Sequence, residues 1–461
     1  MLARGIRSYH RPATLETAFL LVGGGGVPLA GGTRLLAGTQ TVPELVDLAS
    51  LGRSEISVRD GDLVLGASLT LQDVIDAPEA YGATAGLLPE ACRAFSASRQ
   101  LRGMATLGGE IVYGSPDSEL VAALLVLNAI VRVTGPAGVV EVPAQRFVRD
   151  AREHLGSAGL VTSILLPGTP RGAALTRLAV LPSAPPLVAV ALTVSLAGDV
   201  VARARLAVTG TDTAPTRIPE AEARLERSRR DDAAVARCVE EVRTRAGFRD
   251  DAHASAEYRR EMVGPLVERA LVRALGEASA GGPPPAPRQW PRPETSIPPE
   301  VVGFESGAVD VIVNGSRLVA QAAAGTTLLD WLRGEGLCGT KQGCETGECG
   351  SCTVLLDGRP VNACLTLAVQ ARGRSVTTVE GLGSPERLHP IQEAFVARGA
   401  IQCGYCTPAM ELCGAALLRA IPDPTEAEVR DALGGCLCRC TGYVKPVEAV
   451  LEAGRRAGVR R

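Results

Sequence analysis

Aromatic residues are scarce in this 461-residue chain: two Trp, six Tyr and six Phe make up 3% of it. With 46% hydrophobic residues overall, the cores must therefore be built from Leu, Val and Ala. Net charge is nearly absent too, −2 from 48 basic and 50 acidic side chains. That argues against nucleic-acid binding, so no nucleic acid is expected as a partner. The basic end GRRAGVRR reads as a solvated terminus. No run reaches about 18 uninterrupted apolar residues, so no membrane span is expected. The nearest, LVAVALTVSLAGDVVA, alternates and is β-branched, which indicates paired strands. The opening MLARGIRSYHRP has no apolar h-region. No export signal is expected from it, and the location expected is cytoplasmic. No G-x-G-x-x-G follows a strand, which removes a Rossmann dinucleotide site. A chain of this length should still hold two or more domains.

Cysteine is what the sequence does have. Eight of its thirteen cysteines fall into two sets of four. The first is Cys344, Cys349, Cys352 and Cys364, spaced C-x4-C-x2-C-x11-C. Its first three follow the plant-type ferredoxin spacing, in which a tight loop wraps three thiolates around a [2Fe–2S] cluster. Such a loop must bring backbone N–H groups close to sulfur, and Gly343, Gly347 and Gly350 permit that approach. The fourth thiol returns after TVLLDGRPV, which reads as strand, Asp-Gly turn, strand. A structural zinc site is the alternative, although zinc knuckles usually pair two C-x2-C arms and this set has one.

The second set joins Cys403 and Cys406 to Cys438 and Cys440 across 31 intervening residues. Helices expected over 408–420 and 426–433 would carry the two arms on a small helical domain. Taken alone, this set suits a cluster, a zinc site or a redox-active C-x-x-C. The remaining five, Cys92, Cys238, Cys338, Cys413 and Cys436, read as small apolar fillers. A disulfide scaffold is not expected in a long chain without an export signal.

GTKQGCETGECGSCTV, IQCGYCTPAM and CLCRCTGY closely resemble the iron–sulfur subunit of the xanthine dehydrogenase family of molybdenum hydroxylases. That family includes aldehyde oxidoreductases and aerobic carbon monoxide dehydrogenases. The resemblance covers roughly residues 309–458. It departs at Ala409, where the family usually has glycine. Residues 1–275 resemble, more loosely, the family's FAD-binding medium subunit. YHRPATLETA, PLAGGTRLLAG, ATLGGEIVYGSPDSEL and ASAEYRREM carry this by their order and spacing.

The resemblance implies two [2Fe–2S] clusters held by the eight cysteines. It also implies FAD held at Pro28, Leu29, Ala30, Gly31, Gly32, Thr33, Arg34 and Leu35 and at Thr106, Gly108, Gly109, Glu110 and Glu119. Glycine-rich backbone suits a diphosphate, and Thr33 and Thr106 would add hydroxyl donors. Glu110 stands where the family usually has asparagine, and Glu119 where it usually has aspartate. The segment LAVLPSAPPLVAVALTVSL departs from the family near the flavin ring, whereas Gly23 to Gly26 read as a plain turn.

The fold class expected is α+β and multidomain. Residues 1–170 would form an α/β FAD-binding domain that is not Rossmann, and 171–278 an α+β domain. GGPPPAPRQWPRPETSIPPE centres a Pro-rich, extended linker over 279–307. A β-grasp ferredoxin-like domain over 308–383 opens with the Asn-Gly hairpin DVIVNGSRLV, then the helix TTLLDWLRG. The helical domain covers 384–461. Thr70 is expected to cap a helix, PDSELVAALLVLNA to be helical, and 216–275 to be helix-rich after an early strand.

By resemblance, the substrate-oxidising molybdopterin lies on a separate large subunit, with no catalytic residue on this chain. The chain would be the electron-transfer subunit of a hetero-oligomer. It would pass electrons through both clusters to FAD and then to NAD, quinone, ferredoxin or oxygen. One rival is a self-sufficient NAD(P)H-dependent flavin and iron–sulfur reductase. Such reductases carry one plant-type cluster, so the second set of cysteines argues against it. The other rival is a zinc-binding scaffold.

Overall fold

The computed structural model describes residues 5–52, 55–59, 61–181, 184–228, 232–280, 288, 290 and 300–459. The expected linker lies largely outside these. The chain divides into two compact units, one of residues 1–52, 97–105 and 289–461, the other of 53–96 and 106–288.

The first unit carries both sets of cysteines. Its ferredoxin-like sheet has five strands in the order Ser316–Ala323, Ser306–Val313, Ser375–Thr377, Thr353–Leu356, Arg359–Asn362. Both expected hairpins form, and for the expected local reason. Asn314 and Gly315 (φ 51° and 81°) and Asp357 and Gly358 (49° and 78°) take the left-handed conformations that a two-residue turn needs. The helix Leu328–Gly334 starts at Thr327, whose hydroxyl accepts the Asp330 N–H at 3.0 Å. It buries Leu328, Leu329, Trp331 and Leu332.

Four helices follow: Pro390–Ala397, Thr407–Ala420, Glu426–Leu433 and Val444–Val459. They close on a core that includes Phe395, Met410, Leu417, Val429 and Val450. Thr425 and Glu428 form a capping box at the third of them. The short helix Arg99–Arg102 belongs to this unit. Arg99 and Arg102 reach one carboxylate, Asp431, at 3.1 and 2.7 Å. The Arg99 guanidinium also lies 3.8 Å from the centre of the Trp290 ring.

A second sheet of this unit has the order Val301–Phe304, Ser8–Arg11, Glu44–Asp47, Val27–Leu29. Ser8–Arg11 runs parallel to Glu44–Asp47 and antiparallel to Val301–Phe304. The Gly303 N–H reaches His10 Nδ1 at 3.1 Å. Beneath it Tyr9 and Arg11 both engage Asp47.

Glu411 sits buried among the apolar residues of Thr407–Ala420, and burial pushes its carboxyl from 4.5 up to about 7 despite a hydrogen bond with Gln392. Below about pH 4.5 the folded and unfolded chains both keep this proton, so the residue costs nothing there. Between that value and about 7 only the unfolded chain ionises, and stability falls, then levels off. At 1.4 kcal/mol per pH unit the full penalty is about 3 kcal/mol. Glu411→Gln should therefore raise the denaturation midpoint at pH 8 and change it little near pH 4.5. Denaturant titrations at the two pH values check this; an equal shift at both would refute the assignment.

The second unit has two antiparallel sheets. One has the order Ile56–Arg59, Asp62–Gly66, Leu160–Leu166, Ile130–Gly135, Gly138–Pro143. The other has the order Thr216–Arg217, Val200–Val208, Val188–Ala197, Gly172–Leu178. Val188–Ala197 is buried along most of its length because helices cover it on both faces. Ala256–Ala280 packs on one and Glu119–Val126 on the other. That is why its sequence reads as a near-continuous apolar run. Thr70 caps Leu71–Ile75 through a capping box with Asp73. Pro219–Leu225, Asp232–Arg245 and Ala256–Ala280 supply the helices expected after the strand at 216. Among the described residues no helix is long and apolar enough to cross a membrane.

Candidate functional site

The loop that carries the first cage runs between Leu328–Gly334 and Thr353–Leu356. Its shape follows from left-handed residues at Glu345, Gly347 and Gly350, with φ of 59°, 84° and 65°. A Cβ on Gly343 would lie 2.6 Å from Cys349 Sγ, so this glycine lets backbone reach the sulfur. The Cys344 N–H points at Cys349 Sγ at 3.4 Å, and the Cys349 N–H at Cys344 Sγ at 3.3 Å. The Thr346 N–H adds a third donor to Cys344 Sγ at 3.4 Å. Burial pushes the Cys344 thiol up, but the hydrogen bonds from Thr346 and Cys349 outweigh it and bring it to about 7. Cys352 and Cys364 form the other pair. The hydrogen bond between them pulls Cys352 down and pushes Cys364 up.

In the second cage Cys403 and Cys440 have sulfurs 3.5 Å apart, and Cys406 is hydrogen-bonded to Cys438. Cys438 Sγ accepts the Thr441 N–H at 3.4 Å and lies 3.1 Å from the Thr441 hydroxyl. Its own N–H donates to the Tyr443 hydroxyl at 3.0 Å. Cys406 precedes Thr407–Ala420, with Pro408 in the first turn. The two cages touch directly: the Leu437 N–H donates to the Cys349 carbonyl at 3.0 Å.

Each set of four is thus assembled by folding, and each comes as two pairs. Among the described residues no three Cys, His, Asp or Glu close around one point as a single ion needs. A binuclear cluster takes two protein ligands at each iron, which is the arrangement four thiols in two pairs offer. The donor set and its N–H groups fit [2Fe–2S] clusters.

The two glycine-rich loops expected to hold FAD are equally specific in shape. Val27–Leu29 leads into residues 30–35 with Leu29 buried, Thr33 half-buried and Pro28 and Arg34 exposed. A side chain on Gly31 would run into the Met104 carbonyl, and Gly32 has φ 72° while its carbonyl accepts the Leu36 N–H at 2.8 Å. In the other unit Thr106 caps Leu107–Tyr113, its hydroxyl oxygen accepting the Gly109 N–H at 3.1 Å. A Cβ on Gly108 would lie 2.9 Å from that of Ala67. Glu110 is buried within this helix. Glu119 opens Glu119–Val126, buried and paired with Arg177 at 2.7 Å. Burial pushes its carboxyl up to about 7, and Arg177 pulls it back only in part.

Sequence reading misses Arg177, Arg102 and Asp431. Arg177 lies at the edge of the divergent segment, which is the one available signal. Arg102 stands just ahead of ATLGG, and Asp431 in the amphipathic EAEVRDAL; neither pattern names the other. Of the five extra cysteines four are buried as expected, but Cys338 is exposed.

Four family models match the chain. They are the FAD binding domain in molybdopterin dehydrogenase (4–169), the CO dehydrogenase flavoprotein C-terminal domain (183–274), the 2Fe-2S iron-sulfur cluster binding domain (311–373) and the [2Fe-2S] binding domain (378–451). The nicotine 6-hydroxylase small subunit of Paenarthrobacter nicotinovorans is 52% identical over 151 residues, 32% of this chain and 91% of that protein. The aldehyde oxidoreductase iron-sulfur-binding subunit of Escherichia coli K12 is 41% identical over 174 residues, 34% of this chain and 76% of its own length. Among solved structures, CO dehydrogenase from Oligotropha carboxidovorans has a chain matched over all its length and 60% of this one, with TM-score 0.57 and 27% identity.

Proposed function

Because the chain belongs to the xanthine dehydrogenase family of molybdenum hydroxylases, we propose that it is the electron-transfer subunit of such an enzyme, passing electrons from a molybdopterin-binding partner through two clusters to FAD and an external acceptor. The chain is an oxidoreductase component with an FAD-binding domain and two [2Fe–2S] domains. When bound, the clusters carry single electrons and FAD carries two. Cys344, Cys349, Cys352 and Cys364 are assigned to one cluster, and Cys403, Cys406, Cys438 and Cys440 to the other. Residues 28–35, with Thr106, Gly108, Gly109, Glu110 and Glu119, are assigned to FAD.

One observation carries this reading: two four-thiol cages joined backbone to backbone, on a chain that also carries the flavin domain. The order of transfer is supported by exposure. Cys403 and Cys440 are exposed, and so are Tyr405, Leu437 and Val444 around them. That apolar rim suits a protein partner. Cys352 and Cys364 are buried, so the first cage is the inner of the two.

The test uses the complex with its molybdopterin-binding partner, mixed rapidly with substrate. Cys440→Ser should leave both the remaining cluster and FAD oxidised. Cys349→Ser should allow the second-cage cluster to reduce and leave FAD oxidised. FAD reduced at the normal rate without the first-cage cluster would overturn the order.

A further inference from the structure

We infer that Gln100 is a positioning residue for the two cages, a buried amide that fixes the register of one against the other. The inference rests on the cluster reading above and adds a residue from the flavin-like part of the sequence to it.

Gln100 lies on the short helix Arg99–Arg102 and is fully buried. A buried amide costs free energy unless its polar atoms are paired. Its carbonyl oxygen accepts the Ser98 hydroxyl at 3.1 Å. Its NH2 group faces three acceptors: Thr353 Oγ1 at 3.3 Å, Cys413 Sγ at 3.1 Å and Cys436 Sγ at 3.3 Å. Two N–H donors shared among three acceptors make a hub.

Each acceptor leads to a cage. Thr353 follows Cys352, and its hydroxyl donates to the Gly350 carbonyl at 2.6 Å, inside the first-cage loop. Cys436 stands two residues before Cys438. Cys413 is on the helix Thr407–Ala420, which starts next to Cys406. The two thiols also meet each other, sulfur to sulfur at 3.7 Å. One amide therefore braces the first-cage loop and both arms of the second cage.

The fit is closed around it. A side chain on Gly435 would run into the Gln100 amide and Ser98, and one on Gly350 into the Gly435 carbonyl. The segment fixed by Cys436 continues into Leu437, whose N–H clips the Cys349 carbonyl. Hydrogen bonds and dipoles around a cluster tune its potential, and the partners that orient ligands matter as the ligands do. Fully satisfied buried networks select one arrangement of a core, which an apolar side chain of equal size would not.

The test is Gln100→Leu in the full chain, which keeps the bulk and removes both donors. Wild type, reduced chemically, should give two cluster signals by electron paramagnetic resonance with a mutual splitting. The variant should keep its iron, lose or narrow that splitting, and shift at least one cluster's reduction equilibrium by about tenfold, or about 59 mV for one electron. Cys413→Ser/Cys436→Ser, which keeps acceptors at both positions, should stay close to wild type. If Gln100→Leu loses its iron, Thr353→Val removes the first-cage arm together with the Thr353–Gly350 bond it is built on, and should shift the first-cage signal while leaving the second in place. A wild type without two signals would overturn the cluster reading. Two wild-type signals that stay unchanged in splitting and midpoint in Gln100→Leu or Thr353→Val would overturn this inference alone.

Discussion

Serine in place of Cys349 should take the full chain from about four iron atoms to about two, since each cage is assigned one binuclear cluster. Cys349 and Cys344 form one pair, each sulfur facing the other's N–H. A hydroxyl there is a poor ligand because it does not ionise as a thiol does, and Cys344 cannot hold that iron alone. The other cage draws its thiols from different segments, 403–406 and 438–440, so its cluster should survive. Cys440→Ser should give the mirror result, with the first-cage signal retained. Iron analysis and low-temperature spectra read both. Four iron atoms in either variant would mean that the ligand assignment is wrong.

Aspartate in place of Gly32 should empty the flavin site and leave all the iron. Gly32 holds φ 72°, a conformation that costs a residue with a Cβ about 1–2 kcal/mol. Its Cβ would press on Leu36 Cδ1 at 3.1 Å and Leu29 Cδ1 at 3.3 Å. The added carboxylate would also repel a diphosphate. Gly25→Asp is the control, because Gly25 has φ 105° yet nothing within 4 Å of its Cβ. It pays the backbone strain without touching the loop and should keep its flavin. Extracted flavin measured against iron decides; full occupancy in Gly32→Asp would remove this loop from the site.

What can be read from the sequence is what local chemistry decides. Asn314-Gly315 and Asp357-Gly358 announce turns because left-handed backbone is a property of the residues themselves. Thr70 and Thr425 announce helix starts because a cap needs a partner only three residues away. The cysteine spacing gives the two sets, but not which thiols pair within a set, since pairing is fixed by the folded loop. Distant partners leave no local trace. Nothing near Arg99 or Arg102 points to Asp431, over 300 residues on, and nothing near Glu119 points to Arg177. Cys413 and Cys436 read as separate fillers, yet their sulfurs meet. Val301–Phe304 lies in sequence that looks like linker, because a four-residue edge strand needs little more than backbone.

That edge strand also sets a timetable for synthesis. Ser8–Arg11 can pair with Glu44–Asp47 soon after emerging from the ribosome, but its other edge waits for Val301–Phe304, about 300 residues later. At roughly 5–20 residues per second the wait is on the order of 15–60 s. Throughout it the nascent chain presents an unpaired strand edge, a template for pairing with other chains. Expression yield should therefore depend on translation speed and on chaperones that cover open edges, more than the stability of the finished protein would suggest.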